Sequence, residues 1–182
     1  QDSSWLYFFG IDDPRYAAII DLDTAETVIF ADDVDIDDII WMGPQESVSS
    51  KAEAVGVRRT APYSEVSKYV SKALSSGRRV HFLPPSRYYN TMMLSELTEC
   101  SRHEVVVTKP GHGKHASEEL VKAVISLRLI KEACEIEQID HACDLGYQMH
   151  TIARDNIKLG IVEQEIVGKM EGLTLSKGWG PS

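Results

Sequence analysis

The chain has 182 residues, of which 43% are hydrophobic and 26% charged, an ordinary globular composition that excludes wholesale disorder. Nineteen basic side chains stand against 28 acidic ones, a net charge of -9. Residues 1–60 alone carry 4 basic and 13 acidic side chains, so clustered cations for a phosphate backbone are missing from the front and direct nucleic-acid binding is disfavoured. No apolar run approaches the roughly 18 residues of a membrane span. The opening Gln1-Asp2-Ser3-Ser4-Trp5 lacks the basic and then apolar regions of a signal peptide, and the missing initiator Met suggests processing at the start. Cys100, Cys134 and Cys143 are an odd number without CxxC spacing, which fits reduced thiols and a cytoplasmic setting better than a disulfide framework.

Along the chain, Trp5 to Phe9 reads as a short aromatic-rich strand closed by Gly10 and the turn Asp12-Asp13-Pro14. Tyr16 to Leu22 reads as a strand buried on both faces, and Glu26 to Phe30 as its hairpin partner across Asp23-Thr24-Ala25. Ser47 to Ala54 predicts a helix ending at Gly56. Glu65 to Leu74 predicts another, capped by Ser64 and ended by Gly77. Arg78 to Leu83 is a strand stopped by Pro84-Pro85, Tyr88 to Leu97 a helix, and Glu104 to Val107 a further strand. Strands alternating with helices argue for an α/β sheet over residues 1–110.

The character changes in 111–117, a Gly- and His-rich linker. Ser117-Glu118-Glu119 then opens a helix with acids in its first turn, and Leu120, Val124, Leu127 and Ile130 share one stripe. A long helix runs from about Ala133 to Lys158, with Ile136, Ile139, Cys143, Tyr147, His150, Ala153 and Ile157 three or four apart. Gly160 breaks it, Glu163 to Met170 suggests a third helix, and Gly178-Trp179-Gly180-Pro181 forms a turn. Residues 118–182 therefore form a helical segment whose apolar face wants a partner.

The residues offer little chemistry of their own. The run Asp32-Asp33-Val34-Asp35-Ile36-Asp37-Asp38 lacks the Gly and Glu that a calcium loop needs at its sixth and twelfth places, since Asp38 and Pro44 stand there, and reads as a solvated acidic loop. His112 and His115 sit in the linker. His141 and Cys143 lie about 200° apart on a helix, Glu137 and His141 suit a surface ion pair, and His150 reads as a core histidine. No HExxH, GxSxG, P-loop or GxGxxG is present. Trp41, after Ile39-Ile40 at the end of the acidic run, either anchors a loop to the core or forms a rigid aromatic wall for a ligand or neighbouring subunit.

Whole phrases carry more. Gln1-Asp2-Ser3-Ser4-Trp5-Leu6-Tyr7-Phe8-Phe9-Gly10-Ile11-Asp12-Asp13-Pro14 resembles the corresponding phrase of the aminopeptidase P N-terminal domain, and Ile40-Trp41-Met42-Gly43-Pro44 is similar to that family's Trp-x-Gly phrase. Leu127-Arg128-Leu129-Ile130-Lys131, Glu135-Ile136-Glu137 and Ala142 resemble the opening of its catalytic domain, and Met149-His150 fits the helix that follows. The resemblance is to the front of a Xaa-Pro aminopeptidase of the creatinase/prolidase family.

It implies an α/β fold with a mixed sheet and flanking helices of ribonuclease-H-like topology, then the opening helices of a pita-bread α+β domain. It implies a hydrolase that removes an N-terminal residue preceding proline, with two Mn²⁺ held by two Asp, one His and two Glu. All five ligands are expected outside this chain, so no catalytic or metal residue is assigned here and the chain alone is expected to be inactive. Peptides with proline at the second position are the implied partners, together with a second copy of the protein in a homo-oligomer. By the same resemblance Trp41 is a substrate-binding residue across a subunit interface. Two other readings share the fold: a non-catalytic binding module like the histone-chaperone relatives, for which the acidic front would suit a basic partner, and a metal-free creatinase-type hydrolase.

Overall fold

A computed structural model describes residues 2–111 and 115–178. His112 and most of the turn at 178–181 lie outside the described residues. The chain divides into two compact units, Gln1–Ile125 and Ser126–Ser182.

The first unit opens with a helix where aromatic composition predicted a strand. Helix α1 (Ser3–Phe9) is capped by Asp2, whose carboxylate accepts from Ser4 N at 2.8 Å and Trp5 N at 3.2 Å, and it ends on Gly10 in the left-handed region at φ +65°. Helical spacing puts Trp5 and Phe9 on one face with ring centroids 4.5 Å apart. The indole N–H of Trp5 donates to Ile11 O at 2.7 Å. The polar start and the glycine stop outweigh the β-propensity of the aromatic run.

Strands β1 (Ala17–Asp21) and β2 (Glu26–Phe30) form the expected antiparallel hairpin, in register from Ala17↔Phe30 to Asp21↔Glu26. Strand β3 (Arg59–Ala61) pairs parallel with β2, giving a mixed sheet of order β1-β2-β3. The predicted burial of the first strand on both faces is corrected: β1 is the sheet's edge, and Ile20 is 51% exposed. Burial on both faces belongs to β2. Side chains alternate along a strand, so Ile29 points one way and Val28 and Phe30 the other. Ile29 joins Ile11, Ala31, Val48, Ala52 and Val57, with Trp5 and Phe9 packed alongside. Val28 and Phe30 pack with Val66 and Val70 on the opposite face.

Helices cover both faces. Helix α2 (Ile36–Met42) and α3 (Val48–Ala54) lie in the connection from β2 to β3. Ser47 caps α3 by accepting from Ser50 N at 3.2 Å, and Lys51 pairs with Asp13 at 2.6 Å. A 3-10 turn (Tyr63–Glu65) leads into α4 (Val66–Ser75). Ser64 therefore sits inside that turn, and no side chain caps the helix as predicted. Residues 78–83 join no strand ladder, a second correction. Val80 packs with the β2 core and Phe82 with a third cluster of Cys100, Val105 and Ala116.

Helix α5 (Tyr88–Thr98) is as predicted, whereas the strand expected at Glu104 to Val107 is helix α6 (Arg102–Val106). The cause is a capping box: Ser101 Oγ accepts from Glu104 N at 3.2 Å and Glu104 Oε2 accepts from Ser101 N at 2.9 Å. These reciprocal bonds override the β-branched run of valines. Strands β4 (Thr108–Lys109) and β5 (Ala116–Ser117) then pair in parallel and deliver the chain to helix α7 (Glu118–Leu129).

In the second unit, α8 (Ala133–Asn156) packs against α9 (Glu163–Ser176), with Gly160 at φ +83° in the connection. None of the residues of α8 or α9 is buried. Ile136, Ile139 and Tyr147 stand exposed along the predicted stripe, and His150, read as a core histidine, is exposed too.

Candidate functional site

Trp41 lies on α2, not on a loop, because the acidic run divides its labour. Asp35 caps α2 by accepting from Asp38 N at 2.9 Å. Asp33 accepts from Val48 N at 2.6 Å, at the start of α3, and Asp32 accepts from Tyr63 N at 3.1 Å. Three of the five carboxylates thus accept from main-chain N–H groups at the starts of elements; the run is exposed throughout, as the solvated-loop reading expects, but from Ile36 on it is helix, not loop. Asp37 and Asp38 occupy the first turn of α2, where the macrodipole favours negative charge. Gly43 follows at φ +79°, a backbone setting that a side chain would strain.

The indole of Trp41 is 87% exposed and anchors nothing. Ile36 (74%), Ile40 (71%) and Met42 (69%) are also open, so α2 presents an uncovered apolar surface with a large aromatic at its C-terminal end. Such surfaces on soluble proteins mark interaction sites. The indole is therefore no anchor to the core.

A second cluster was invisible in the sequence. Ser117, 1% exposed, has His81 Nδ1 at 2.8 Å from its hydroxyl, and Glu119 Oε2 at 3.1 Å. Leu120 N donates to the same hydroxyl at 3.2 Å, and Gly111 N donates to Glu119 Oε1 at 2.8 Å. The residue types are those of a hydrolytic triad, but the order is wrong: serine stands between histidine and glutamate, and it is sealed from substrate. These bonds hold the Glu119 carboxyl down at about 2, through the Gly111 N–H first, then its own main-chain N–H and the Ser117 hydroxyl, with the charge of His81 adding to them. A Ser-x-Glu phrase at a helix start hinted at this capping; His81, 36 residues earlier, gave no signal.

Two glutamates and three serines, Glu96, Glu99, Ser64, Ser67 and Ser71, line an open groove of about 300 Å³ beside α4 and α5, whose wall includes Tyr63 donating to Met93 Sδ at 3.0 Å. Burial pushes the Tyr63 phenol up. On α8, His141, Cys143 and Glu137 are exposed. Among the described residues no three His, Cys, Asp or Glu side chains come together as a metal site requires. No described helix is long and apolar enough to cross a membrane.

A mixed sheet flanked by helices, followed by a helical segment, is the architecture of an aminopeptidase P N-terminal domain joined to the start of the catalytic domain. Residues 1–81 match the family model for the aminopeptidase P N-terminal domain. Nothing among curated proteins matches. Three solved structures share the fold of nearly the whole chain. Escherichia coli aminopeptidase P in its low-pH form has a TM-score of 0.71 at 20% identity, covering 98% of this chain and 41% of that one. Proline aminopeptidase P II from Yersinia pestis gives 0.72 at 18% identity, over 98% and 41%. Pseudomonas aeruginosa aminopeptidase PepP gives 0.73 at 18% identity, over 98% and 40%. The chain therefore spans about two fifths of these structures.

Proposed function

We propose that this chain is the N-terminal portion of a metal-dependent Xaa-Pro aminopeptidase, an enzyme that removes an N-terminal residue preceding proline. The observation that carries the reading is the family match over residues 1–81, continued by a shared fold across 98% of the chain. In this proposal the stretch shapes the entrance and contacts between subunits of a cytoplasmic homo-oligomer. Two Mn²⁺ ions, held by residues other than the described ones, would supply Lewis-acid activation of the scissile carbonyl and of water. Trp41 lies at the entrance to a neighbouring subunit's site, where a rigid, exposed indole gives apolar contact to a peptide at small entropic cost.

The test is release of the first residue from an Xaa-Pro-Xaa peptide by the full-length protein, with and without Mn²⁺. Metal-dependent turnover, lost on chelation and absent for an Xaa-Ala-Xaa peptide, supports the reading. A full-length protein that binds such peptides without cleaving them, or cleaves after chelation, overturns it.

A further inference from the structure

We infer that His81 is held as the Nδ1–H tautomer and donates to Ser117, which donates to Glu119, so that the three side chains form a one-way hydrogen-bond chain latching the first turn of α7 to the segment 78–83. The argument is one of counting protons at the Ser117 hydroxyl. A hydroxyl has one proton to give and two lone pairs to fill. The Leu120 N–H, 3.2 Å away, can only donate and takes one lone pair. The Glu119 carboxylate, 3.1 Å away, can only accept and takes the proton. The remaining lone pair faces His81 Nδ1 at 2.8 Å, and that nitrogen must bring a hydrogen of its own.

The opposite tautomer fails on the same count. If the serine proton pointed to a bare Nδ1, the hydroxyl oxygen would face the carboxylate oxygen at 3.1 Å with no hydrogen between them. Ser117 is 1% exposed, so water has no room to repair the mismatch. In the Nδ1–H form every polar atom at the junction is satisfied, and Nε2 keeps the lone pair. Neutral and protonated imidazole both carry the Nδ1 hydrogen and both close the chain.

The main chain reinforces the latch. Ser117 N donates to Phe82 O at 3.1 Å, next to the histidine that bonds its side chain. Leu120 N is among the first N–H groups of α7, which have no partner inside the helix. Ser117 satisfies it, and Glu119 also accepts from Gly111 N at 2.8 Å. Residues 81–82, Gly111 and the start of α7 are thereby tied through one buried hydroxyl and one carboxylate.

Two measurements on the full-length protein decide it. Long-range proton–nitrogen correlation on ¹⁵N-histidine-labelled protein, above the pH at which imidazole titrates, should show the His81 proton on Nδ1; a proton on Nε2 overturns the inference. Hydrogen exchange at the Leu120 amide should be about tenfold faster in His81→Ala than in the unmodified protein, while His81→Asn, whose amide N–H can stand in for Nδ1–H, should restore protection to within about twofold. Equal protection in all three proteins also overturns it. His81 is exposed, so these variants keep the core; should His81→Ala fail to fold, the spectrum of the unmodified protein is decisive by itself.

Discussion

Arg78 grips Asp21 with two parallel bonds, Nη1 to Oδ2 at 2.7 Å and Nη2 to Oδ1 at 2.5 Å, across 57 residues of sequence. Its Nε reaches Asp23 at 3.0 Å. Asp21 also accepts from the main-chain N–H groups of Asp23 and Thr24, which closes the β1–β2 turn in which Ala25 takes φ +55°. One guanidinium, three residues past the end of α4, thus pins the hairpin turn to the chain leaving that helix, a geometry lysine could not reproduce.

That pairing gives the fold an acid-sensitive element. The guanidinium of Arg78 holds the Asp21 carboxyl well below the usual carboxylate range. A group whose pKa is lower folded than unfolded contributes stability above its unfolded value, near 4, and loses it as pH falls toward its folded value. Asp21→Asn and Arg78→Ala should each lower the urea midpoint at pH 7 and flatten its fall below about pH 4. Identical acid limbs in variant and unmodified protein would leave the pair without energetic weight.

Glu119 has the same sign. With its carboxyl held at about 2, carboxyl-detected NMR should find it still ionised at pH 3, where exposed glutamates are mostly protonated. Ser117→Ala should raise its midpoint toward the ordinary value. A Glu119 midpoint near 4 in the unmodified protein would remove its hydrogen bonds from the account.

Phe30 is fully buried at the C-terminal end of β2 and packs edge-on to Tyr69 with centroids 5.0 Å apart. Phe30→Ala should cost about 3–5 kcal/mol in denaturant unfolding, the range for deleting a core aromatic. A loss below about 1 kcal/mol would mean that this face of the sheet is not the core.

Ser101→Ala removes one half of the capping box and should cost about 0.5–2 kcal/mol, with faster amide exchange confined to residues 102–106. Unchanged exchange there would argue against the helix.

Trp41→Ala should leave stability within about 0.5 kcal/mol, because the indole is exposed. In the full-length protein it should raise KM for longer proline-containing peptides while leaving kcat nearly unchanged. An unchanged KM would separate Trp41 from substrate without touching the assignment of the reaction.

How far the residues announce this fold depends on whether the deciding contact is local. The β1–β2 hairpin, the Ser47-capped α3 and the glycine-ended helices follow from turn and cap signals a few residues wide. At α1 and α6 aromatic and β-branched composition points to strand, but Asp2 and the Ser101/Glu104 box, signals equally local, make both segments helical. Residues 78–83 carry a strand-like composition, but only tertiary structure tells that no ladder forms. Trp41 stands out by composition and phrase, yet its exposure follows from a helix hidden inside an acidic run. The meeting of His81 with Ser117 depends on the pairing of β4 with β5 and could not be read along the chain.

The parallel pairing of β2 with β3 obliges the chain to make a long excursion between Phe30 and Arg59, and α2 rides on that excursion, not on the sheet. No residue of α2 takes part in the β2–β3 register, so mutations around Trp41 should leave that ladder alone. Sequence drift can therefore retune what this face touches while the platform beneath it stays the same.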